Sequence, residues 1–217
     1  KLMENSLNDY TVWKMAIDPQ NPEIMYAGSG TPSPCHFFRS DDRGKSWERL
    51  SVDISETCVN TGVPRFTGLQ VESGAKTVWA AIEVDGMRYT HDSGQTWSRL
   101  DEAIPNPDIH ALSVVEESKT VVIATVNAVY NSSDDGDSWN ETKARNTFSV
   151  GQPRCTFSTP ARPDVVFLGL GDDSPGNTGV IARSKDSGNT WQELPLDTQP
   201  NSSMWWIGGH DSDPDLI

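Results

Sequence analysis

The chain has 217 residues, a net charge of −14 at pH 7 and a hydrophobic fraction of 35%. So strong a negative charge disfavours nucleic acids and anionic membrane surfaces as partners. No apolar run approaches the ~20 residues of a membrane-spanning helix. We therefore expect no nucleic-acid partner and no membrane partner, while the compartment, exported or cytoplasmic, stays open.

The first predicted repeat occupies residues 13–50 and contains four short strands, A to D. Strand A runs over Trp13–Asp18, and a turn with two prolines separates it from the apolar strand B, Ile24–Gly28. A long loop rich in Gly, Pro and Ser, Gly28–Cys35, leads to strand C. A polar turn, Ser40–Trp47, then joins strand C to strand D.

Three further repeats follow the same plan at residues 62–100, 107–142 and 151–194. Each repeat has a turn with the pattern Ser/Thr-x-Asp-x-Gly-x-Ser/Thr-Trp, which we call its box. Boxes 1 to 4 are Ser40–Trp47, Thr90–Trp97, Ser132–Trp139 and Ser184–Trp191. Their tryptophans lie 50, 42 and 52 residues apart. A period in this range, with four short strands in each repeat, is typical of β-propeller blades.

Each box is predicted to be a hairpin turn. The glycine supplies a positive φ, and the Asp and hydroxyl side chains accept backbone N–H bonds. The tryptophan opens the next strand with a large apolar surface and an indole N–H that needs a partner. A calcium loop is the alternative, but each box has too few spaced carboxylates for an EF-hand-type pattern.

The boxes and their spacing resemble those of the Asp-box, or BNR-repeat, β-propellers, which occur in sialidases and several other glycoside hydrolases. The resemblance covers nearly the whole chain. It implies an all-β fold, a β-propeller of four-stranded antiparallel blades, and it implies a hydrolase. In such propellers the box lies on the face away from the ligand site, so we assign no box residue to chemistry.

A single β-propeller domain, 1–217, is predicted, because no low-complexity linker interrupts the chain. Residues 1–3 match the positions after a box tryptophan, and residues 203–217 match strand A and the start of strand B, so both are expected as partial blades. A closed propeller needs every blade to cover its neighbours' edges. We therefore expect about four blades of a six- to eight-bladed propeller, with the remaining blades in the same or another chain.

Candidate substrate-binding residues lie at the start of strand A, which lines the central channel of a propeller. Alignment of the repeats on strand B gives one such residue in each repeat, namely Trp13, Arg65, His110, Arg154 and Trp205. Arginine matches a carboxylate or phosphate with two donors, and tryptophan offers a flat face to a sugar ring. Lys14 and the loop residue His36 complete the predicted set, which indicates a small anionic or carbohydrate ligand at the channel mouth. The alternative is that the arginines pair with carboxylates of the next blade and that the tryptophans pack between blades.

Candidate catalytic residues are sought on the same rim. His110 is a candidate acid or base near neutral pH. Asp172 and Asp173 in the long fourth B–C loop, and Glu83 at the end of a strand B, are candidate general acids, because glycoside hydrolysis requires paired carboxylates. The alternative for these acidic residues is a solvated surface. The sequence has no P-loop and no zinc-type Cys/His spacing, so we predict no cofactor and no metal.

The resemblance to glycoside hydrolases is partial. Sialidases bind a carboxylate with three arginines, of which Arg65 and Arg154 match two. The third arginine and the Phe/Tyr-Arg-Ile-Pro motif of sialidases are missing. Three hypotheses stay open: a hydrolase, a non-catalytic propeller that binds a protein or glycan, and an assembly factor like the propellers that help to build photosynthetic complexes. The absence of a broad basic patch counts against the third.

Three cysteines, Cys35, Cys58 and Cys155, cannot all form pairs within the chain. Reduced, buried thiols are the interpretation that we favour. A Cys35–Cys58 disulfide within the first repeat is the alternative if the protein is exported.

Overall fold

The computed structural model describes residues 7–57, 62–100, 103–210, 213 and 217. Strands within these residues form four antiparallel sheets of four strands each, paired in chain order. The predicted all-β fold of four-stranded blades is therefore confirmed, and we number the sheets as blades 1 to 4. No helix in the described part of the chain is both long enough and apolar enough to cross a membrane.

Blades 1 and 2 hold the first eight strands. These are β1 Thr11–Ile17, β2 Met25–Thr31, β3 Phe37–Ser40, β4 Glu48–Arg49, β5 Arg65–Val71, β6 Val78–Glu83, β7 Gly86–Thr90 and β8 Ser98–Arg99.

Blades 3 and 4 hold the other eight strands. A 3-10 turn at Glu116–Ser118 joins β9 to β10 within blade 3, and a short helix, α1 (Ala144–Thr147), joins blade 3 to blade 4. The strands are β9 Ile109–Val115, β10 Thr120–Thr125, β11 Ala128–Ser132, β12 Asn140–Lys143, β13 Gln152–Thr159, β14 Arg162–Gly171, β15 Gly179–Ser184 and β16 Gln192–Glu193. Helix α1 was not predicted from the sequence.

The chain divides into two compact units, unit 1 at Lys1–Ile109 and unit 2 at His110–Ile217. Unit 1 contains blades 1 and 2, and unit 2 contains blades 3 and 4 apart from the first residue of β9. Each unit has an apolar core to which both of its blades contribute. The core of unit 1 includes Tyr26, Phe37, Phe66, Val78 and Ile82. The core of unit 2 includes Val122, Val166, Leu168, Leu170 and Ala182.

Close packing in unit 1 depends on a glycine of β2. A Cβ atom on Gly28 would lie 2.2 Å from Cγ of Phe66, and Phe66 is fully buried. The ring of Phe66 stacks on that of Phe37 with 4.9 Å between centroids. A full side chain at this position would therefore push the two blades apart.

The boxes are closed by their own side chains, as box 1 shows. Ser40 Oγ donates to Asp42 Oδ1 and accepts from the Gly44 N–H, both at 2.8 Å. Asp42 also accepts from the N–H and the hydroxyl of Ser46, at 2.9 and 2.6 Å. Boxes 2 to 4 repeat these bonds. Since both carboxylate oxygens already accept from protein donors, the calcium-loop alternative gains no support.

The backbone of each box turn has two successive residues with positive φ. In box 1 these are Arg43 at 63° and Gly44 at 77°. The sequence predicted the glycine but not its predecessor. Arg39 pairs with Glu48 across the ladder, so residues 40–47 form a longer loop than a two-residue hairpin. The hydrogen bonds that close this loop hold the left-handed residue before the glycine.

The box tryptophans differ in one respect. The indole N–H of Trp47, Trp97 and Trp139 donates to the carbonyl of the box glycine at 2.9–3.1 Å. In box 4 the Trp191 Nε1 atom is buried and has no hydrogen-bond partner among the described residues.

Strand β11 contacts box 4 through Asn131, which is 1% exposed. Its Nδ2 donates to the Ser187 carbonyl at 3.2 Å and to Asn189 Oδ1 at 3.1 Å. This side chain therefore connects blades 3 and 4 inside unit 2.

Candidate ligand-binding site

The predicted site lies at the start of strand A, where three blades have a β-bulge. Trp13 is the extra residue of β1, between the pairs Val12–Ser29 and Lys14–Gly28. Thr67 has this place in β5, and Arg154 has it in β13. A bulge bends its strand and redirects a side chain. The pairing of strands A and B therefore determines which residue lies at the bulge in each blade.

The pairing corrects one part of the sequence alignment. Arg65 was predicted to be level with Trp13 and Arg154, but the residue of blade 2 at that level is Thr67. Arg65 lies two residues earlier and pairs with Glu83 across the sheet. The repeated Gly-x-Pro-Arg-x-Thr sequence suggested the wrong level, because it does not show how many residues follow before the strand turns back.

Unit 1 places Arg65 against Trp13. The guanidinium carbon lies 4.9 Å from the centroid of the indole ring, a cation–π contact. Arg65 also forms an ion pair with Glu83, with side chains 43% and 17% exposed. Trp13 is 47% exposed. It lies over Gly30, where a Cβ atom would come within 2.4 Å of the indole nitrogen.

A second carboxylate lies beside Glu83. One carboxylate oxygen of Asp108 and one of Glu83 are within 4.8 Å of each other, and both residues are partly buried. Asp108 was not among the predicted site residues. Its proximity depends on the turn before β9, which the sequence pattern does not specify.

Lys14 and His36 lie in the same unit, Lys14 in β1 and His36 directly before β3. Lys14 is partly buried and pairs with Gly28. The His36 ring packs edge-on against Tyr10, with 5.3 Å between centroids. Burial, together with the nearby charge of Arg49, lowers the pKa of His36. The lowered pKa favours the neutral imidazole at pH 7.

Unit 2 has an arginine–tryptophan contact of its own. The Arg154 guanidinium carbon lies 5.1 Å from the ring centroid of Trp205, and the same guanidinium contacts the side-chain oxygen of Gln152. Trp205 is 41% exposed, and the next residue, Trp206, is 75% exposed.

Trp205 is placed by the two residues before it. Ser203 Oγ donates to the Asp173 carbonyl at 2.6 Å, and the Met204 N–H donates to the Leu170 carbonyl at 3.2 Å. A Cβ atom on Gly171 would lie 1.7 Å from Ser203 Oγ. Glycine at this point of blade 4 is therefore what lets the segment approach.

His110 donates from Nδ1 to the Pro153 carbonyl at 2.7 Å. A carbonyl oxygen only accepts, so Nδ1 carries a proton and, in the neutral ring, Nε2 is the acceptor. Pro153 precedes Arg154 in β13, so this bond connects His110 in β9 to the strand of the next blade that carries the arginine. Its predicted role as an acid or base stays a prediction.

Asp172 and Asp173 act within their own loop. Asp172 Oδ1 accepts from the N–H groups of Asn177 and Thr178 at 2.8 and 3.1 Å, and these bonds lower the pKa of Asp172. Asp173 accepts from the Ser174 N–H at 2.8 Å. A carboxyl that is held ionised is a poor proton donor, so this geometry explains the loop's shape and gives no support to a general-acid role.

Several predictions lie partly outside the described residues. Cys58, and with it the Cys35–Cys58 alternative, is among the residues that the structure does not describe, as are residues 1–3 of the first partial blade. Cys35 and Cys155 are buried, at 1% and 6% exposed, and whether Cys35 is reduced stays a prediction. Whether the arginine–tryptophan contacts of the two units meet at one channel mouth stays a prediction.

The strand ladders and the solved structures that resemble the chain define it as a β-propeller. A GH74 enzyme from Niastella koreensis covers 85% of this chain with a TM-score of 0.67 and 19% identity, over 30% of its own length. A structure of YCF48 from Cyanidioschyzon merolae covers 89% of this chain and 58% of its own, with a TM-score of 0.60 and 15% identity. More particularly, residues 86–217 match the model of the family Sortilin-Vps10 (sortilin, neurotensin receptor 3). The match covers more than half of the chain, so the chain belongs to this family.

Sequence relatives come from two kinds of protein. A photosystem II assembly lipoprotein, Ycf48, from Synechococcus sp. is 24% identical over 77% of this chain and 49% of its own length. Xyloglucanase Xgh74A from Acetivibrio thermocellus is 24% identical over 86% of this chain and 20% of its own. The chain thus spans about half of the first relative and a fifth of the second.

Proposed function

We propose that this chain is a ligand-binding propeller module that takes an anionic group of a glycan or polypeptide at its arginine–tryptophan contacts. The observation that carries the proposal is the stacked Arg65–Trp13 contact at 4.9 Å on a ring that is 47% exposed. Unit 2 offers a second contact of the same kind, Arg154 on Trp205. Stacking fixes the plane of a guanidinium, so its outward donors meet a carboxylate or phosphate with little loss of entropy.

Binding agrees with the geometry better than catalysis does. Both arginines are held by protein partners, Glu83 and Gln152, and large aromatic surfaces lie exposed beside them. The matched family is described by the name of a receptor, which also favours binding.

A glycoside hydrolase of the Asp-box type is the second candidate. It is favoured by the neighbouring carboxylates of Glu83 and Asp108, one oxygen of each lying within 4.8 Å of the other, since glycoside hydrolysis requires a pair of carboxyl groups. The xyloglucanase relatives and the resemblance of the boxes to Asp-boxes support the same candidate. Xyloglucan is the substrate to test first.

The binding proposal is tested by calorimetric titration with tetragalacturonate, an anionic oligosaccharide, and with a Glu/Asp-rich peptide. We expect the wild type to bind one of these probes and Arg65→Ala/Arg154→Ala to bind it about 10- to 100-fold more weakly, because each arginine contributes a charge-assisted hydrogen bond. The matched control is Lys45→Ala/Lys185→Ala, which removes the same charge from exposed box positions. Equal losses in both double variants, or no binding by the wild type, would contradict the proposal.

The hydrolase candidate has a separate readout, the release of reducing ends from xyloglucan. Release that disappears in both Glu83→Gln and Asp108→Asn, while binding of the anionic probe persists, would support it. Absence of release from the wild type would remove it and leave the binding proposal standing.

A further inference from the structure

Unit 2 contains a groove that is separate from the arginine–tryptophan contacts. It has a volume of about 530 Å³ and lies between β12, helix α1 and box 4. This volume is within the ~300–1,000 Å³ range of small-molecule sites. Its lining residues are Glu141, Thr142, Lys143, Asn146, Thr147, Asn189, Thr190 and Trp191.

The lining is polar and carries no net charge. It contains three threonine hydroxyls, two asparagine amides, one indole and a single pair of opposite charges, Lys143 and Glu141. Glu141 accepts from the Tyr130 hydroxyl at 3.2 Å. Hydroxyl and amide groups beside an aromatic ring suit a ligand rich in hydroxyls. A charged ligand would lose hydration here without gaining a net opposite charge.

The walls of the groove are held by contacts on the side away from the opening. Ala144 and Phe148 are buried in the core of unit 2, and Phe148 meets Trp191 edge-on at 6.1 Å. The N–H and hydroxyl of Ser149 donate to the carboxylate of Glu193 at 2.5 and 3.0 Å. The groove is therefore largely formed before a ligand enters, which lowers the entropic cost of binding.

Trp191 supplies an independent observation at this groove. Its indole N–H is buried without an acceptor, although the tryptophans of boxes 1 to 3 each have one. An unmet buried donor costs free energy. Trp191 lines the groove with the exposed side chains of Asn146 and Thr147. A movement of these two side chains would open the buried N–H to an acceptor in the groove.

We propose that this groove, formed by β12, α1 and box 4, binds a neutral saccharide unit, with a sugar hydroxyl accepting from the Trp191 indole N–H and the Asn146 amide bonding a neighbouring hydroxyl. The site is independent of the proposed function, since it shares no residue with Arg65, Trp13, Arg154 or Trp205.

The test is a titration of uniformly ¹⁵N-labelled protein with cellotetraose, a neutral oligosaccharide. The chain has eight tryptophans, and Trp191→Phe identifies the Trp191 resonance by its loss. We expect this resonance to shift saturably in the wild type. Affinity in Trp191→Phe, read from the backbone amide of Thr190, should fall about fivefold, which corresponds to one lost hydrogen bond. The exposed-site variant Asn146→Ala should weaken binding by a similar factor.

Trp139→Phe is the matched control, because the Trp139 N–H already donates to Gly136 and is not available to a ligand. Its affinity should equal that of the wild type. A Trp191 resonance that does not move with cellotetraose overturns the proposal, as does an equal loss of affinity in Trp139→Phe. Movement with the neutral peptide Gly-Ser-Ser-Gly but not with the sugar overturns it in favour of a polypeptide ligand.

Discussion

The connection that leaves blade 1 and the connection that leaves blade 3 are held in place by opposite means. In unit 1, Arg88 donates from Nε to the Asp53 carbonyl at 2.9 Å, and Ser55 Oγ donates to Asp85 at 2.7 Å. Arg88 and Asp85 form an ion pair at 2.7 Å with side chains only 1% and 3% exposed. We call these four residues the polar clasp.

In unit 2 the corresponding connection folds into helix α1. Ala144 is fully buried, Phe148 is 7% exposed, and both belong to the apolar core. The Ala144 N–H donates to the carbonyl of Asn127, in the turn between β10 and β11, at 3.0 Å. The same four-stranded blade therefore accepts either a buried ion pair with a full set of partners or a buried apolar contact at this connection. We call the apolar contact, formed by Ala144 and Phe148, the apolar plug. Substitutions in the two connections should therefore lower the free energy of unfolding for different physical reasons.

Breaking the polar clasp should have the largest effect. Asp85→Ala leaves the Arg88 guanidinium buried without its carboxylate, so we expect a loss of about 3–5 kcal/mol in the free energy of unfolding, measured by urea denaturation. The double variant Asp85→Ala/Arg88→Met removes both charges and should recover most of the loss. If the double variant were as unstable as the single one, the ion pair would not be the cause.

Breaking the apolar plug should cost slightly less. Phe148→Ala creates a cavity beside Trp191, and we expect a loss of about 3 kcal/mol, again from urea denaturation. Phe148→Leu keeps most of the volume and should lose less than half as much. The loss should be insensitive to salt, because no charge is involved, and a clear salt dependence would argue against the apolar account.

Acid should weaken the box turns, which occur in both units. Hydrogen bonds from Ser46, then from Ser40, lower the pKa of Asp42 to about 2, and the hydroxyls of Thr90 and Thr96 do the same for Asp92. A folded-state pKa below the unfolded value means that the stabilisation is full above about pH 4 and is lost as pH falls through about 2. We expect the smallest effect here.

The acid effect is measured as the midpoint of urea unfolding between pH 5 and pH 2. Asp92→Asn should be less stable than the wild type at pH 5 and should show a flatter decline. An identical decline in the variant would assign the acid response to other carboxyls.

Regular repetition is what the sequence predicted well. The box turns and the four-strand order follow from a glycine, an Asp and a tryptophan at fixed spacing, whose interactions are local. The bulge at Thr67 could not be predicted, because an extra residue in a ladder depends on the partner strand. The alignment therefore placed Arg65 at the level of the strand where Thr67 lies, two residues further along β5.

The candidate site was predicted less fully than the fold. The contact of Arg154 with Trp205 joins residues far apart in the chain, and the sequence shows their residue types but not that they meet. In the sequence, Arg88 cannot be distinguished from an exposed strand residue. The proximity of Asp108 to Glu83 is likewise hidden, because it depends on the turn before β9. Asp172 shows the reverse case, since an acidic loop residue that suggested catalysis is used to close its own loop.

The burial of Asn131 has a consequence for how the chain can be made. Asn131-Ser132-Ser133 is an acceptor triplet for N-linked oligosaccharides, yet in the folded chain both amide hydrogens of Asn131 are directed at box 4. An oligosaccharide attached to the nascent chain at this point would prevent β11 from meeting its neighbour. In a host that glycosylates during synthesis, the yield of folded protein should therefore depend on whether this blade closes before the transferase reaches it.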